Sequence, residues 1–159
     1  MSCSRILIAV SVLLFSLLVC LPASARPIPD LVLTDANGQS VNLADSLGGW
    51  RPLVLVIDAD ASLTRQLLDG LWLSWDTVVI VVAQDWETVE LLRASNASNS
   101  DATWLLGEAQ QVFDAMDIPA TPSLFGFENG WEVWRSVGLD SDEFFKERLE
   151  AWIGAGSAS

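Results

Sequence analysis

The stretch Ile118-Pro119-Ala120-Thr121-Pro122-Ser123-Leu124-Phe125-Gly126-Phe127, followed by Asn129-Gly130, decides the fold of this chain. Its two prolines must end the segment before them, because proline lacks an N–H donor and pushes the preceding residue away from helical dihedrals. The apolar residues 123–127 predict a strand, and Asn129-Gly130 supplies the positive φ angles of a tight hairpin turn. The sequence therefore predicts a proline loop that leads into an antiparallel hairpin, with residues 131–137 as its second strand.

Strands and helices alternate in the region before this loop. Residues 53–57 and 78–82 are continuous apolar runs, which are typical of strands buried on both faces of a sheet. Helical spacing follows each run, and we expect Ser62 and Asp85 as the N-caps of these two helices. Residues 104–106 predict a short strand and residues 108–116 a helix. This alternation favours an α/β fold with parallel strands.

A hairpin is predicted before the alternating strands and helices, and a final helix is predicted after the second hairpin. Leu31-Val32-Leu33 and Val41-Asn42-Leu43 flank Asn37-Gly38 and predict an N-terminal hairpin. At the other end, Asp140 or Ser141 is expected to cap a final helix that reaches about Ile153.

The first 25 residues have the composition of a signal peptide. Arg5 precedes the apolar residues 6–21, and Ala23-Ser24-Ala25 offers a small-residue cleavage site. As a helix, the apolar run would be roughly 24 Å long, which is short of the roughly 30 Å hydrocarbon core of a bilayer. Residues 17–20 loosely resemble a lipobox, although Val19 is bulky for its position. We expect cleavage near Ala25, a periplasmic or secreted domain over residues 26–159 with its folded core at about 28–153, and no stable membrane insertion after cleavage.

The composition excludes several classes of chemistry for residues 26–159. The only cysteines are Cys3 and Cys20, and the chain has no histidine. The usual ligands of zinc, copper and haem are therefore absent after cleavage, and we expect no metal and no cofactor. The net charge is −13, and it becomes −14 when Arg5 is removed. An acidic surface repels phosphate backbones, so nucleic acid is not expected as a partner.

The order of elements and the proline loop resemble exported thioredoxin-like proteins, the redoxin group that includes cytochrome c maturation factors. Residues 118–127 with Asn129-Gly130 are similar to the family's loop and following strand, and residues 35–43 are similar to its N-terminal hairpin. Gly138 matches a glycine after the last strand. The resemblance covers about residues 28–153. It implies an α/β, three-layer thioredoxin-like fold with a central mixed sheet, an N-terminal β-hairpin and a cis-proline loop at Pro122.

The sequence departs from this family at the redox centre. The family has Cys-x-x-Cys at the start of the helix after the first core strand, where the helix N-terminus stabilises a thiolate. A one-residue shift leaves two alignments, so the cysteine positions fall on Ala61 and Thr64 or on Ser62 and Arg65. Neither alignment retains a thiol. The resemblance therefore implies no oxidoreductase or peroxidase activity here.

Residues 53–64 also resemble the first motif of haloacid-dehalogenase-like phosphatases, in which two aspartates act as nucleophile and acid/base. Asp58 and Asp60 would have these roles in a magnesium-dependent enzyme. That chemistry also needs a lysine and a later acidic pair, and Lys146 is the only lysine. We expect instead that the two aspartates face solvent at a strand end or bond to the following turn.

Three function classes follow from these observations. The first is a non-catalytic module that binds an exported protein or peptide through a face made of Thr121, Pro122, Ala61, Ser62, Thr64 and Arg65. The second is the phosphatase-like enzyme, and the third is a purely structural exported domain. Eight tryptophans are many for this length. Trp131 and Trp134 are expected on opposite faces of their strand, with one of them partly exposed.

Overall fold

A computed structural model describes residues 25–70, 73, 76–96, 101–138, 147, 151 and 152. The predicted signal peptide lies outside these residues except for Ala25, and so does most of the predicted final helix, of which Glu147, Ala151 and Trp152 are helical. No helix within the described ranges is long and apolar enough to cross a membrane. The strands are β1 (Arg26–Pro27), β2 (Val32–Thr34), β3 (Ser40–Asn42), β4 (Leu53–Asp58), β5 (Thr77–Val82), β6 (Thr103–Gly107), β7 (Ser123–Glu128) and β8 (Trp131–Val137). The helices are α1 (Leu43–Ser46), α2 (Ser62–Gly70), α3 (Trp86–Ser95) and α4 (Ala109–Met116).

In the described part of the chain, these strands form one mixed sheet in the order β1-β8-β7-β4-β5-β6-β2-β3. β4, β5 and β6 are parallel, and the remaining pairs are antiparallel. The apolar runs predicted as central strands are β4 and β5. Residues 53–57 and 77–82 are buried, as expected for strands covered on both faces.

The core consists of two clusters, one on each face of the sheet. Leu55 and Ile57 of β4 pack with Leu68 of α2 and with Val89 of α3. Val54 and Val56 point the other way and pack in a second cluster with Val112 and Met116 of α4. Because neighbouring side chains of a strand alternate between faces, β4 contributes to both clusters. The result is a three-layer arrangement of helices, sheet and helix.

Both predicted hairpins are present. β2 pairs with β3 antiparallel, and Gly38 in their turn has a φ of 74°. Asn129 and Gly130 have φ angles of 52° and 83° in the turn between β7 and β8, which is the pair of positive angles that an Asn-Gly turn supplies.

Two predictions need correction. Ser62 is the first residue of α2 and not the residue that precedes it. Trp131 and Trp134 lie on the same side of the ladder, because their partners Glu128 and Gly126 are two residues apart in β7. A β-bulge between these pairs adds a residue to β8 and changes its alternation. One tryptophan is partly exposed, as predicted: Trp131 is 50% exposed, whereas Trp134 stacks on Trp152 with ring centroids 6.1 Å apart.

Candidate functional site

The predicted binding residues meet at one edge of the sheet. The antiparallel register pairs Val56 of β4 with Ser123 of β7, so the next residues outward, Ile57 and Pro122, are neighbours at this edge. The peptide bond between Thr121 and Pro122 is cis, the isomer that the resemblance implies. α2 begins at Ser62, shortly after β4 ends at Asp58. The loop and the start of α2 therefore lie at the same end of β4.

Hydrogen bonds hold the cis-proline loop on both sides of Thr121. The Ser123 hydroxyl donates to the Ala120 carbonyl at 2.7 Å, and the Gly138 N–H donates to the Pro122 carbonyl at 2.9 Å. Pro122 is buried, whereas Thr121 is partly exposed. Within the described ranges, no hydrogen bond involves the backbone N–H or carbonyl of Thr121. Thr121 therefore presents unpaired backbone groups at the edge of the sheet.

The first turn of α2 supplies less surface than predicted. Thr64 is 1% exposed, and its hydroxyl donates to the Asp58 carbonyl at 2.6 Å. Thr64 therefore supports the turn from inside, and its place in the predicted binding face is wrong. Ala61 is partly exposed and Arg65 is exposed, so both remain candidates. The side chain of Ser62 lies outside what the structure describes.

Asp58 and Asp60 occupy the end of β4, as the sequence predicts. Asp58 Oδ1 accepts the Asp60 N–H at 2.9 Å, which closes the turn after the strand. No group of three or more acidic, histidine or cysteine side chains suited to a metal ion is found among the described residues. Lys146 lies outside them. The described geometry of the two aspartates is that of a strand-end turn.

A groove of about 590 Å³ opens at the carboxyl ends of β4, β5 and β6. Thr34 of β2 and Leu106 of β6, which form the one bridge between these two strands in the described part of the chain, both line it. Apolar and polar side chains share its wall, which is lined by Val32, Thr34, Asp58, Asp60, Val82, Ala83, Gln84, Leu106, Gly107, Glu108, Ala109 and Gln111.

No motif in the sequence predicts this groove, although the order of the elements gives one signal for it. Ligands of open α/β sheets bind beyond the carboxyl ends of parallel strands, and three such ends were predicted. The single bridge between β2 and β6 could not be read from the sequence, because it depends on where the short strand β2 docks in the sheet.

Two helix N-termini adjoin this edge, and an acidic side chain caps each of them. Glu108 accepts the N–H groups of Gln110 and Gln111 at the start of α4. Asp85 accepts the Thr88 N–H at 2.9 Å at the start of α3, as predicted. This backbone hydrogen bond, together with one from the Thr88 hydroxyl, lowers the pKa of Asp85 below its ordinary value of 3.8. Glu108 therefore caps α4 and also lines the groove, whereas Asp85 caps α3 outside the groove lining.

Comparison with solved structures finds similar folds at low identity. The thioredoxin domain of a thiol-disulfide oxidoreductase from Bacteroides vulgatus is 18% identical, with a TM-score of 0.61, over 80% of this chain and 97% of that one. A thio-disulfide isomerase from Thermus thermophilus is also 18% identical, with a TM-score of 0.60, over 80% and 95%. A secreted disulfide oxidoreductase from Mycobacterium tuberculosis is 13% identical, with a TM-score of 0.59, over 77% and 96%.

No family model and no curated protein matches the chain. The structural likeness covers nearly the whole of each solved chain. It shows that this chain has the thioredoxin-like fold, in agreement with the sequence-based resemblance.

Proposed function

We propose that this chain, with its thioredoxin-like fold, is an exported, redox-inactive binding protein of the cell envelope. It binds another envelope protein or peptide through Thr121, with Ala61, Ser62 and Arg65 at the margin of the contact. The observation that carries the proposal is that the backbone N–H and carbonyl of Thr121 have no partner among the described residues, in a loop that hydrogen bonds hold on both sides. An extended segment can pair with such groups by strand addition.

Three sequence features support the remaining parts of the proposal. The signal-peptide pattern of residues 1–25 supports export and a periplasmic or secreted location. Redox inactivity follows if cleavage occurs near Ala25, because both cysteines precede that point. In the two alternative alignments, the positions of the family's two cysteines are occupied by Ala61 and Thr64 or by Ser62 and Arg65. None of these side chains can form a disulfide.

Affinity capture with a variant of the loop tests the binding role. Tagged protein of residues 26–159 is used to recover partners from the envelope of its own host, beside Thr121→Arg. The long charged side chain would block strand addition without entering the core, because Thr121 is partly exposed. A recovered protein is identified by mass spectrometry, and its binding to each purified form is then measured.

We expect Thr121→Arg to weaken that binding at least tenfold. Leu91→Arg is the matched control, since it adds the same side chain at a position of α3 that is 67% exposed. It should bind like the wild type, and the melting temperatures of both variants show whether they fold. Equal recovery with Thr121→Arg and the wild type would contradict the binding role and favour the purely structural domain.

A further inference from the structure

The groove beside the cis-proline loop can define what kind of segment binds there. Asp58 ends β4, the strand next to β7 and its proline loop, and the same residue forms part of the groove wall. A segment paired with Thr121 that continues across the strand ends would therefore enter the groove. This inference rests on the function proposed above and concerns the chemistry of the partner.

The described residues of the groove lining carry negative charge. Asp58, Asp60 and Glu108 contribute three carboxylates, and no lysine or arginine is among the described residues that line the groove. Asp58 and Glu108 are held by backbone N–H groups, so their positions are fixed. The carboxylate of Asp60 accepts no hydrogen bond within the described ranges.

The wall also has an apolar part suited to a hydrocarbon chain. Val32, Val82, Ala83, Leu106 and Ala109 line the groove with the carboxylates and with two glutamine amides. A lysine or arginine has an apolar stem and a charged head, and such side chains place the stem against apolar surface while the head stays polar. The negative charge of the groove and its apolar wall therefore both favour a lysine or arginine side chain.

The dimensions of the sheet set the spacing along the partner. Neighbouring strands are about 4.8 Å apart, so the distance from Pro122 in β7 across β4 and β5 to Gly107 in β6 is about 14 Å. An extended peptide advances roughly 3.3 Å per residue. About four residues therefore separate the residue that pairs with Thr121 from the one that reaches the far wall of the groove.

We propose that the groove binds a lysine or arginine side chain of an extended partner segment, within about four residues of the residue that pairs with Thr121. Its occupant is a basic peptide segment of another exported protein, and the carboxylates of Asp58 and Asp60 select it.

Defined peptides test the inference independently of any natural partner. The probes are two fluorescein-labelled eleven-residue peptides built from alanine and glutamine, one of which has lysine at two of its glutamine positions. Binding is measured by fluorescence anisotropy at low salt. We expect the lysine peptide to bind roughly tenfold more tightly than the glutamine peptide, since hydrogen bonds to charged groups are stronger than neutral ones.

Two double variants separate the groove from the overall charge of the protein. Asp58→Asn with Asp60→Asn removes two groove carboxylates and keeps an oxygen that can accept the Asp60 N–H. Asp69→Asn with Glu128→Gln removes two acids at the ends of α2 and β7, away from the groove lining. The first pair should abolish the advantage of the lysine peptide, whereas the second pair should preserve it.

The possible outcomes distinguish this inference from the proposed function. Equal binding of both peptides, lost in Thr121→Arg, would retain the function and overturn the preference for basic segments. If the tighter binding of the lysine peptide is reduced equally in both double variants, the net charge of the protein causes it. That result would overturn the proposal that the groove binds the basic side chain. Binding of neither peptide would overturn the inference and contradict strand addition at Thr121 as well.

Discussion

Thr64 joins the first turn of α2 to the end of β4. Its hydroxyl donates to the Asp58 carbonyl, which also accepts the Ala61 N–H at 3.2 Å. The side chain of Thr64 is buried beneath the turn. In one of the two alignments, thioredoxin-like proteins have a cysteine at this position. The residue therefore has a structural role at this position.

Replacing Thr64 by valine removes the hydroxyl and keeps the shape. We expect the Thr64→Val variant to lose about 1 kcal/mol of unfolding free energy, because a buried hydrogen bond disappears and a carbonyl loses a partner. Urea denaturation measures the change. Thr103→Val makes the same chemical change at an exposed position of β6 and should alter stability much less. An unchanged or more stable Thr64→Val protein would contradict this role of the hydroxyl.

Burial explains why the sequence did not predict the role of Thr64. Its place in the first turn of a helix was correctly predicted, but which side of that turn faces β4 depends on how the helix packs on the sheet. Asp58 and Asp85 were predictable, because a strand-end turn and a helix N-cap require only local contacts. Thr64 required a contact with a residue six positions away.

At the scale of elements, α3 shows how a local signal fixes a helix end. Asp85 accepts hydrogen bonds from both the N–H and the hydroxyl of Thr88, and Arg93 stands in the last turn. A negative charge at the N-terminus and a positive charge near the C-terminus both interact favourably with the helix dipole.

The cap gives α3 a dependence on pH with a definite sign. The pKa of Asp85 in the folded protein lies below its ordinary value of 3.8. Its stabilising effect is therefore complete well above pH 3.8 and is lost as the pH falls through the folded pKa. We expect the difference in melting temperature between the wild type and Asp85→Asn, which cannot titrate, to shift against the wild type between about pH 7 and about pH 2. A difference that stays constant over this range would contradict the cap's charge as the cause.

The sequence predicts the strands that are continuous apolar runs, and it predicts less of the sheet where strand pairing is irregular. The continuous apolar runs of β4 and β5 predict buried strands, and the structure has strands at both places. The bulge in β8 and the single bridge between β2 and β6 depend on how neighbouring strands pair in the assembled sheet. The bulge reversed the predicted orientation of a tryptophan, and no motif indicated the groove that Thr34 and Leu106 line.

At the scale of the whole molecule, the described fold is held by packing on both faces of one sheet. The two core clusters share β4 and β5, so the central strands connect the helices of one face to α4 on the other. Residues 26–159 have no cysteine, and stability there comes without disulfides. The same sheet brings the proline loop, the start of α2 and the groove to one edge.

This shared edge is the reason that we propose a binding function that does not depend on the thiols of thioredoxin-like oxidoreductases. The backbone groups of Thr121 and the carboxylates of the groove are fixed by elements that the thiols do not build. The sequence located the loop and its proline, but the unpaired backbone and the groove became visible only with the assembled sheet.

Hydrogen exchange at the backbone amide of Thr121 shows whether a bound segment pairs with this residue. Exchange is measured by NMR for the free protein and for its complex with the lysine peptide or with the captured partner. We expect the Thr121 N–H to exchange rapidly in the free protein and at least tenfold more slowly in the complex, because strand addition gives it an acceptor. A complex in which other amides become protected while the exchange of Thr121 is unchanged would contradict the claim that this loop is the binding site.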